Sequence, residues 1–315
     1  MTLHWATAHR MAMMAANHAH NDIGVARDEY IDVFTALGAA GICCIGKPWR
    51  NLAGAYAGED LGGPVVMVNS MLDEVALRHT AGHELGHHCF GHDSRMEESL
   101  DPYAGSLGRR LPDEEKLAEA FAAWFLMPLP AVHTVMRRLG ISRPRGPEDV
   151  HQIACWLGTS FAGTARHLVN IQLADTHEAE QWVRAWRNGN GRIRAAMCGS
   201  RTPPPGRVWV IRPEANATRL HVLPRDTLVC PDGELTDPLP PGLTPRPDQQ
   251  LSLEARPAVT ITGTVPQPCQ LTVTTSRDAD ILTLTLILIL PPRREGIDST
   301  WCVPQYPPIP HPEDQ

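Results

Sequence analysis

The sequence predicts an α+β protein: a mainly helical N-terminal part with a short strand, a pair of helices joined by a turn, and a β-rich C-terminal part. Three observations predict this. Apolar residues recur at helical spacing over Leu72–Cys89 and again over Pro112–Leu126, with caps and breakers at the ends. After Pro203-Pro204-Pro205 the composition changes to short Val/Thr/Ile/Leu runs separated by Pro-rich connections. Histidines and paired carboxylates crowd into the first part and are sparse in the last. A chain of 315 residues is long enough for two modest domains, each with its own core.

Gly63-Pro64-Val65-Val66-Met67-Val68-Asn69 reads as a short buried strand, expected to lie at a sheet edge open to an extended peptide. A helix from Leu72 to about Cys89 follows, with Asn69 and Ser70 as cap candidates and Asp73 and Glu74 in the first turn, where the dipole favours negative charge. Inside this helix stands His83-Glu84-Leu85-Gly86-His87. Residues four apart share a helix face, so both imidazoles can grip one metal ion while Glu84 points beside it. Zinc hydrolysis needs two such nitrogens, a third ligand, an open position for water and a carboxylate to take the water's proton. Ala81, Gly82 and Gly86 are small enough to let another element approach closely.

Candidates for the third ligand compete. Asp93 stands at a spacing used by some metalloproteases, but Phe90 replaces the glycine that turns such a chain back to the metal. His92 follows Gly91, where the helix is expected to end, and reads as solvated or capping. The better candidates lie on the second helix, started by Pro112 and stopped before Pro128. There Glu115 and Glu119 are four apart on a face shared with Ala118, Ala122 and Phe125. Two carboxylates on an apolar face are costly unless something positive meets them.

Thr80-Ala81-Gly82-His83-Glu84-Leu85-Gly86-His87, with Glu115-x-x-Ala118-Glu119-x-Phe121-Ala122-x-x-x-Leu126-Met127-Pro128, resembles the ImmA/IrrE family of zinc metallopeptidases. The resemblance extends over roughly residues 10 to 175 and includes Gly54-Ala55-Tyr56. It implies a zincin-like catalytic domain in which His83, His87 and Glu115 hold Zn²⁺ and Glu84 is the general base. The family usually has Asn or Asp four positions after the third ligand, supporting the site from behind. Here that residue is Glu119, one methylene longer, and either it orients a ligand histidine or it binds the metal itself. For the oxyanion the candidates are Tyr56, Tyr103 and His88. The resemblance further implies a protein substrate of narrow choice, a helix-turn-helix transcriptional repressor in stress or mobile-element regulation. The alternative is a non-proteolytic regulator that binds a transcription factor or DNA, with structural zinc.

Downstream, Pro147–Leu157, a turn at Gly158 and a second helix capped by Thr159 or Ser160 resemble a helix-turn-helix. DNA binding asks for a basic recognition helix, and Phe161–Asn170 offers only Arg166 and His167, so packing or substrate docking is the preferred role. Helix is expected to about Asn188, with the Gly/Arg stretch Asn188–Arg194 leading out of it. The β-like runs Arg207–Ile211, Arg219–Leu223, Thr227–Cys230, Ala258–Val265, Gln270–Thr275 and Ile281–Leu290 suggest a small antiparallel sandwich or barrel of unknown role. The expected organisation is a catalytic domain over 1–140, a helical segment over 141–200, a β-rich domain over 201–303 and a Pro-rich disordered tail over 304–315.

Composition excludes some classes. A formal net charge of -7 gives no general attraction to nucleic acid or acidic membranes. The longest apolar run, Leu282 to Leu290, is too short to span a bilayer. Eight cysteines without a C-x-x-C pair argue against a disulfide framework or a cysteine zinc site, and read as reduced thiols in a cytoplasmic protein.

Overall fold

The computed structural model describes residues 2–97, 111–211, 219–231, 234–235, 239–245, 258–261, 269–277 and 280–291. The chain divides into two compact units, Met1–Leu129 and Pro130–Pro292. The Pro-rich tail and Tyr103 lie outside the described residues.

In the first unit, helix α1 (Trp5–Ile23) packs along α4 (Asp113–Leu126). Ala8, Ala12, Ala16 and Ala19 recur every three or four residues on the buried face of α1, and their small side chains permit a close approach. One turn after Ala16, His20 stacks on Phe125 at 4.5 Å between ring centres, and its Nε2–H donates to the Phe125 carbonyl at 2.9 Å. Burial holds this imidazole neutral, with its pKa pushed down to about 4. At the other end, Asp113 accepts from the Leu3 N–H while the Lys116 ammonium donates to the Leu3 carbonyl, fixing the start of the chain to the first turn of α4.

Helix α2 (Val33–Ala39), capped by Asp32, leads into β1 (Cys43–Lys47), β2 (Gly54–Ala57) and β3 (Val65–Asn69). After α3 (Glu74–Cys89), β4 (Arg95–Glu97) completes a sheet of order β1-β3-β2-β4. The strand expected at Val65–Asn69 is present, but it is not an edge. It pairs parallel with β1 on one side and antiparallel with β2 on the other. The pattern of β3 shows that it is buried, whereas its place in the sheet depends on partners distant in sequence; among the described residues the edges belong to β1 and β4. Val66 and Val68 of β3 face Leu77, Ala81 and Leu85 of α3, and Phe121 and Phe125 of α4 belong to the same core.

Helix α3 starts at Glu74 and is capped by Asp73, whose carboxylate accepts from the Ala76 N–H at 2.9 Å. The expected cap Asn69 does other work. Its amide donates to the Trp49 and Leu52 carbonyls and accepts from the Trp49 and Met71 N–H groups, tying the two loops at the ends of β1 and β3 together.

In the second unit, α5 (Leu129–Arg138) is followed by α6 (Pro147–Leu157), a turn through left-handed Gly158, and α7 (Phe161–Asn170). Ser160 is the cap of α7, accepting from the Gly163 N–H. Arg166 is the one exposed residue of α7, while His167 is buried. Helix α8 (Thr176–Met197), closed at its start by a capping box of Asp175 and Glu178, extends past the expected end near Asn188. It continues through the Gly/Arg stretch with a kink at Gly189, because Arg192 and Arg194 are good helix formers and Arg194 reaches the Pro204 and Gly206 carbonyls.

Among the described residues, the β region forms two four-stranded sheets, β5-β7-β10-β9 and β6-β12-β11-β8. Their strands are β5 (Val208–Val210), β6 (Arg219–His221), β7 (Thr227–Val229), β8 (Glu234–Leu235), β9 (Leu243–Pro245), β10 (Ala258–Ile261), β11 (Cys269–Arg277) and β12 (Asp280–Ile289). The expectation of purely antiparallel pairing is corrected: β5 with β7 and β6 with β12 are parallel. The crossover between β5 and β7 carries β6, which joins the other sheet, so β6 pairs with neither β5 nor β7. Buried Asp226 binds the region together by accepting from the Arg207 guanidinium, the Trp209 indole and the Leu223 N–H. The outer edge of β5 is met by α6: the Gln152 amide donates to the Val208 carbonyl at 2.7 Å and accepts from the Val210 N–H at 2.8 Å, and His151 Nε2 accepts from the Val208 N–H. Among the described residues, no helix is long and apolar enough to cross a membrane.

Candidate metal centre

The site forms between α3 and α4. The two helices meet where their side chains are smallest: a Cβ on Gly86 would lie 3.0 Å from the Ala118 Cα and 3.1 Å from the Phe121 Cβ, and one on Gly82 would meet Ala122 at 3.5 Å. This close approach brings Glu115 from the first turn of α4 against the histidines of α3. His83 Nε2 and His87 Nε2 are 3.1 Å apart. Glu115 Oε2 is 3.2 Å from His83 Nε2, and its Oε1 is 3.6 Å from His87 Nε2. Both histidines are buried, and Glu115 is partly buried.

The donor set can be tested for fit to zinc. Four ligand atoms placed tetrahedrally at about 2.0–2.1 Å from one ion stand about 3.3–3.4 Å apart. His83 Nε2 stands 3.1 Å from His87 Nε2 and 3.2 Å from Glu115 Oε2, close to that value, and the other carboxylate oxygen, Oε1, is 3.6 Å from His87 Nε2. Two imidazole nitrogens and a carboxylate converging in a buried place present lone pairs to one another, which is unfavourable unless a cation or proton lies among them. Burial alone would raise the Glu115 carboxyl, but hydrogen bonds and charge from His83 and His87 outweigh it and hold the group well below the usual carboxylate range. These residues therefore fit a zinc ion. Among the described residues, His83, His87 and Glu115 are the group of three close enough to share one.

Around this triangle the remaining residues take distinct places. Glu84 is buried on the flank of α3 that faces β2, where Gly54 leaves room for it: a Cβ at that glycine would be 2.5 Å from Glu84 Oε1 and closer still to Thr80 Cγ2. Glu119 lies behind the triangle. One of its oxygens accepts from His79 Nε2 at 2.9 Å and is 3.6 Å from His83 Nδ1, too long for a hydrogen bond but close for a charge facing an N–H. Burial would raise this carboxyl; the charge and hydrogen bond of His79 outweigh that and hold it well below its ordinary range. His92 is behind the other histidine, with its Nδ1 2.9 Å from His87 Nδ1. Asp93 is exposed and outside the group. Tyr56 and His88 pair with each other at 3.0 Å between hydroxyl and Nδ1, one helical turn along α3 from Glu84.

Sequence reasoning thus named the residues that converge, and missed the roles of His79 and Gly54. His79 had a signal, being four residues before His83 on the same stripe. Gly54 entered only as part of the Gly54-Ala55-Tyr56 resemblance, without a role, because its importance comes from what packs over it.

Two histidines and a carboxylate on facing helices, with a second buried glutamate beside them, make up the donor set of a metallopeptidase-type centre. Comparison points to a particular family: residues 46–142 match the model of peptidase family M78, the IrrE N-terminal-like domain. This segment of the chain is similar to that domain, in agreement with the resemblance carried by the two motifs. Among curated proteins, none matches the chain.

Proposed function

We propose that the protein is a zinc-dependent endopeptidase in which His83, His87 and Glu115 hold the ion and Glu84 is the general base. The observation that carries this reading is the convergence of His83 Nε2, His87 Nε2 and Glu115 at spacings of 3.1 to 3.6 Å, with Glu84 buried on the same helix. When bound, zinc supplies Lewis acidity that lowers the pKa of a water and polarises a carbonyl.

The chain's own residues do the rest. Glu84, held against β2, accepts the proton of the attacking water and returns it to the leaving amine. Glu119 sets a negative charge against the outer nitrogen of His83, which favours the tautomer with its lone pair turned inward. His79 keeps that carboxylate in place. In this reading Glu119 orients a ligand and does not bind the ion. The substrate we infer is a helix-turn-helix transcriptional repressor, cut at a restricted site in stress or mobile-element regulation; it rests on the family resemblance. The α6–α7 pair serves docking or packing, since α7 exposes a single cation.

Three measurements test the proposal together. Metal analysis of the purified protein should find about one zinc per chain. The protein should cut a quenched-fluorescence peptide library or a candidate repressor, lose this activity to a chelator and regain it with zinc. Glu84→Gln should abolish cleavage while keeping zinc. A wild-type chain that binds no zinc, or cleavage that survives Glu84→Gln, would defeat the assignment.

A further inference from the structure

We infer that His92 is a positioning residue of the metal centre, accepting the Nδ1 proton of His87 and so fixing which nitrogen His87 turns to the ion. The inference rests on the reading of His83 and His87 as zinc ligands.

The backbone builds the contact. Helix α3 ends at Cys89, and the chain turns through Gly91, which is left-handed at φ +63°. The His92 N–H then donates to the His87 carbonyl, and the Gly91 N–H donates to the His88 carbonyl, each at 3.0 Å. These two bonds with a left-handed glycine form the Schellman ending of a helix, in which the second residue past the cap comes to rest over the third residue from the helix end. Those positions usually share an apolar contact. Here they are His92 and His87, and the contact is a hydrogen bond of 2.9 Å between their Nδ1 atoms. The His92 ring is kept in place by stacking on Phe90 at 5.6 Å, and Phe90 in turn meets Phe121 of α4 edge-on.

Proton placement follows from the geometry. His87 directs Nε2 towards His83 and Glu115, so a metal ligand needs its lone pair on Nε2 and its proton on Nδ1. That proton faces His92 Nδ1, which accepts it in the neutral ring form. The two ligand histidines are thereby held differently: His83 faces a carboxylate, His87 a second imidazole. Outer partners of this kind typically contribute on the order of ten- to a hundred-fold in metal affinity.

The test uses the full chain and competitive zinc titration, together with the visible spectrum of the cobalt-substituted protein, which reports ligand geometry without requiring a substrate. His92→Phe keeps an aromatic ring for Phe90 and removes the acceptor. His92→Asn places a carbonyl oxygen where Nδ1 stands. The expected result is a loss of roughly ten- to a hundred-fold in zinc affinity and an altered cobalt band for His92→Phe, with both largely restored in His92→Asn. Unchanged affinity and spectrum in His92→Phe, or an Asn variant as impaired as the Phe variant, would overturn the inference. If the Phe chain does not fold, His92→Leu makes the same deletion and is compared with His92→Asn in the same way. A wild-type chain without zinc would instead overturn the ligand assignment.

Discussion

Replacing Gly86 by alanine should open the metal centre without touching a ligand. The added Cβ would fall 3.0 Å from the Ala118 Cα, 3.1 Å from the Phe121 Cβ and 3.2 Å from the Ala118 carbonyl oxygen. None of these atoms is the free end of a flexible side chain, so α4 itself must give way. Ordinary contact begins near 3.4 Å, which asks for a separation of about 0.4 Å, and metal–ligand bonds tolerate only about 0.2 Å. Glu115 rides on α4 while His83 and His87 ride on α3, so the separation falls on the bonds between them. Gly82→Ala is the control, because its Cβ would meet Ala122 and Leu126 at 3.5 Å. Alanine in a helix is better than glycine by about 1 kcal/mol. Gly82→Ala should therefore hold zinc like the wild type and unfold at the same or a slightly higher temperature. Gly86→Ala should lose about tenfold in zinc affinity, with its helix-propensity gain offset by overpacking of about 1–3 kcal/mol. Chelator competition measures the first quantity and thermal unfolding in excess chelator the second. Equal zinc affinity in the two variants would refute the idea that the Gly86 contact sets the width of the centre.

Further outcomes are expected. Glu84→Gln should keep zinc and the fold but lose about a hundred- to ten-thousand-fold in cleavage rate, as read by peptide hydrolysis beside metal analysis. Glu115→Gln should cost most of the zinc affinity and Glu119→Gln only about ten- to a hundred-fold; if titration shows the reverse order, Glu119 is the ligand. For His20, burial lowers the folded pKa to about 4 from 6.5, so below pH 6.5 the unfolded chain takes up the proton first. Its contribution is complete above pH 6.5 and is lost between there and about pH 4, by up to about 3 kcal/mol. Denaturant unfolding at several pH values should show a shallower acid loss in His20→Gln; an unchanged slope would remove His20 as its source.

The parts legible in the sequence were those with a local period. The His83/His87 pair could be read because a four-residue spacing fixes a shared helix face; the apolar face of the second helix narrowed the third ligand to Glu115 or Glu119, and the family resemblance pointed to Glu115. The Pro147–Asn170 helix pair was marked by Pro147, Gly158 and Ser160, each in the position its chemistry favours. Pairing between distant segments was not legible. Cys43–Lys47 (CCIGK) offers no alternation of apolar and polar residue types, although its burial alternates, so β1 went unread and β3 looked like an edge. The parallel partners of β5 and β6 depend on crossovers that leave no mark in the strands themselves. His92 looked solvated because its contact depends on the turn at Gly91 as well as on its distance from the motif. Gly54 matters only for the absence of a side chain opposite Glu84.

The meeting of α6 with the rim of the β region bears on how this chain can be cut. An open strand rim normally invites pairing with another chain, and β5 is instead closed by the amide of Gln152 and the ring of His151. A fragment beginning near residue 201 would carry β5 with its rim bare, and so be prone to self-association. The complementary fragment would leave Gln152 and His151 without the backbone they satisfy. Burial lowers the His151 pKa to about 3 in the intact chain, and that ring would be released to water by the cut. Dissection of function between the helices and the sheets is therefore better done with point substitutions than with truncation, because side chains of α6 complete the backbone hydrogen bonding of β5 and are themselves satisfied by it.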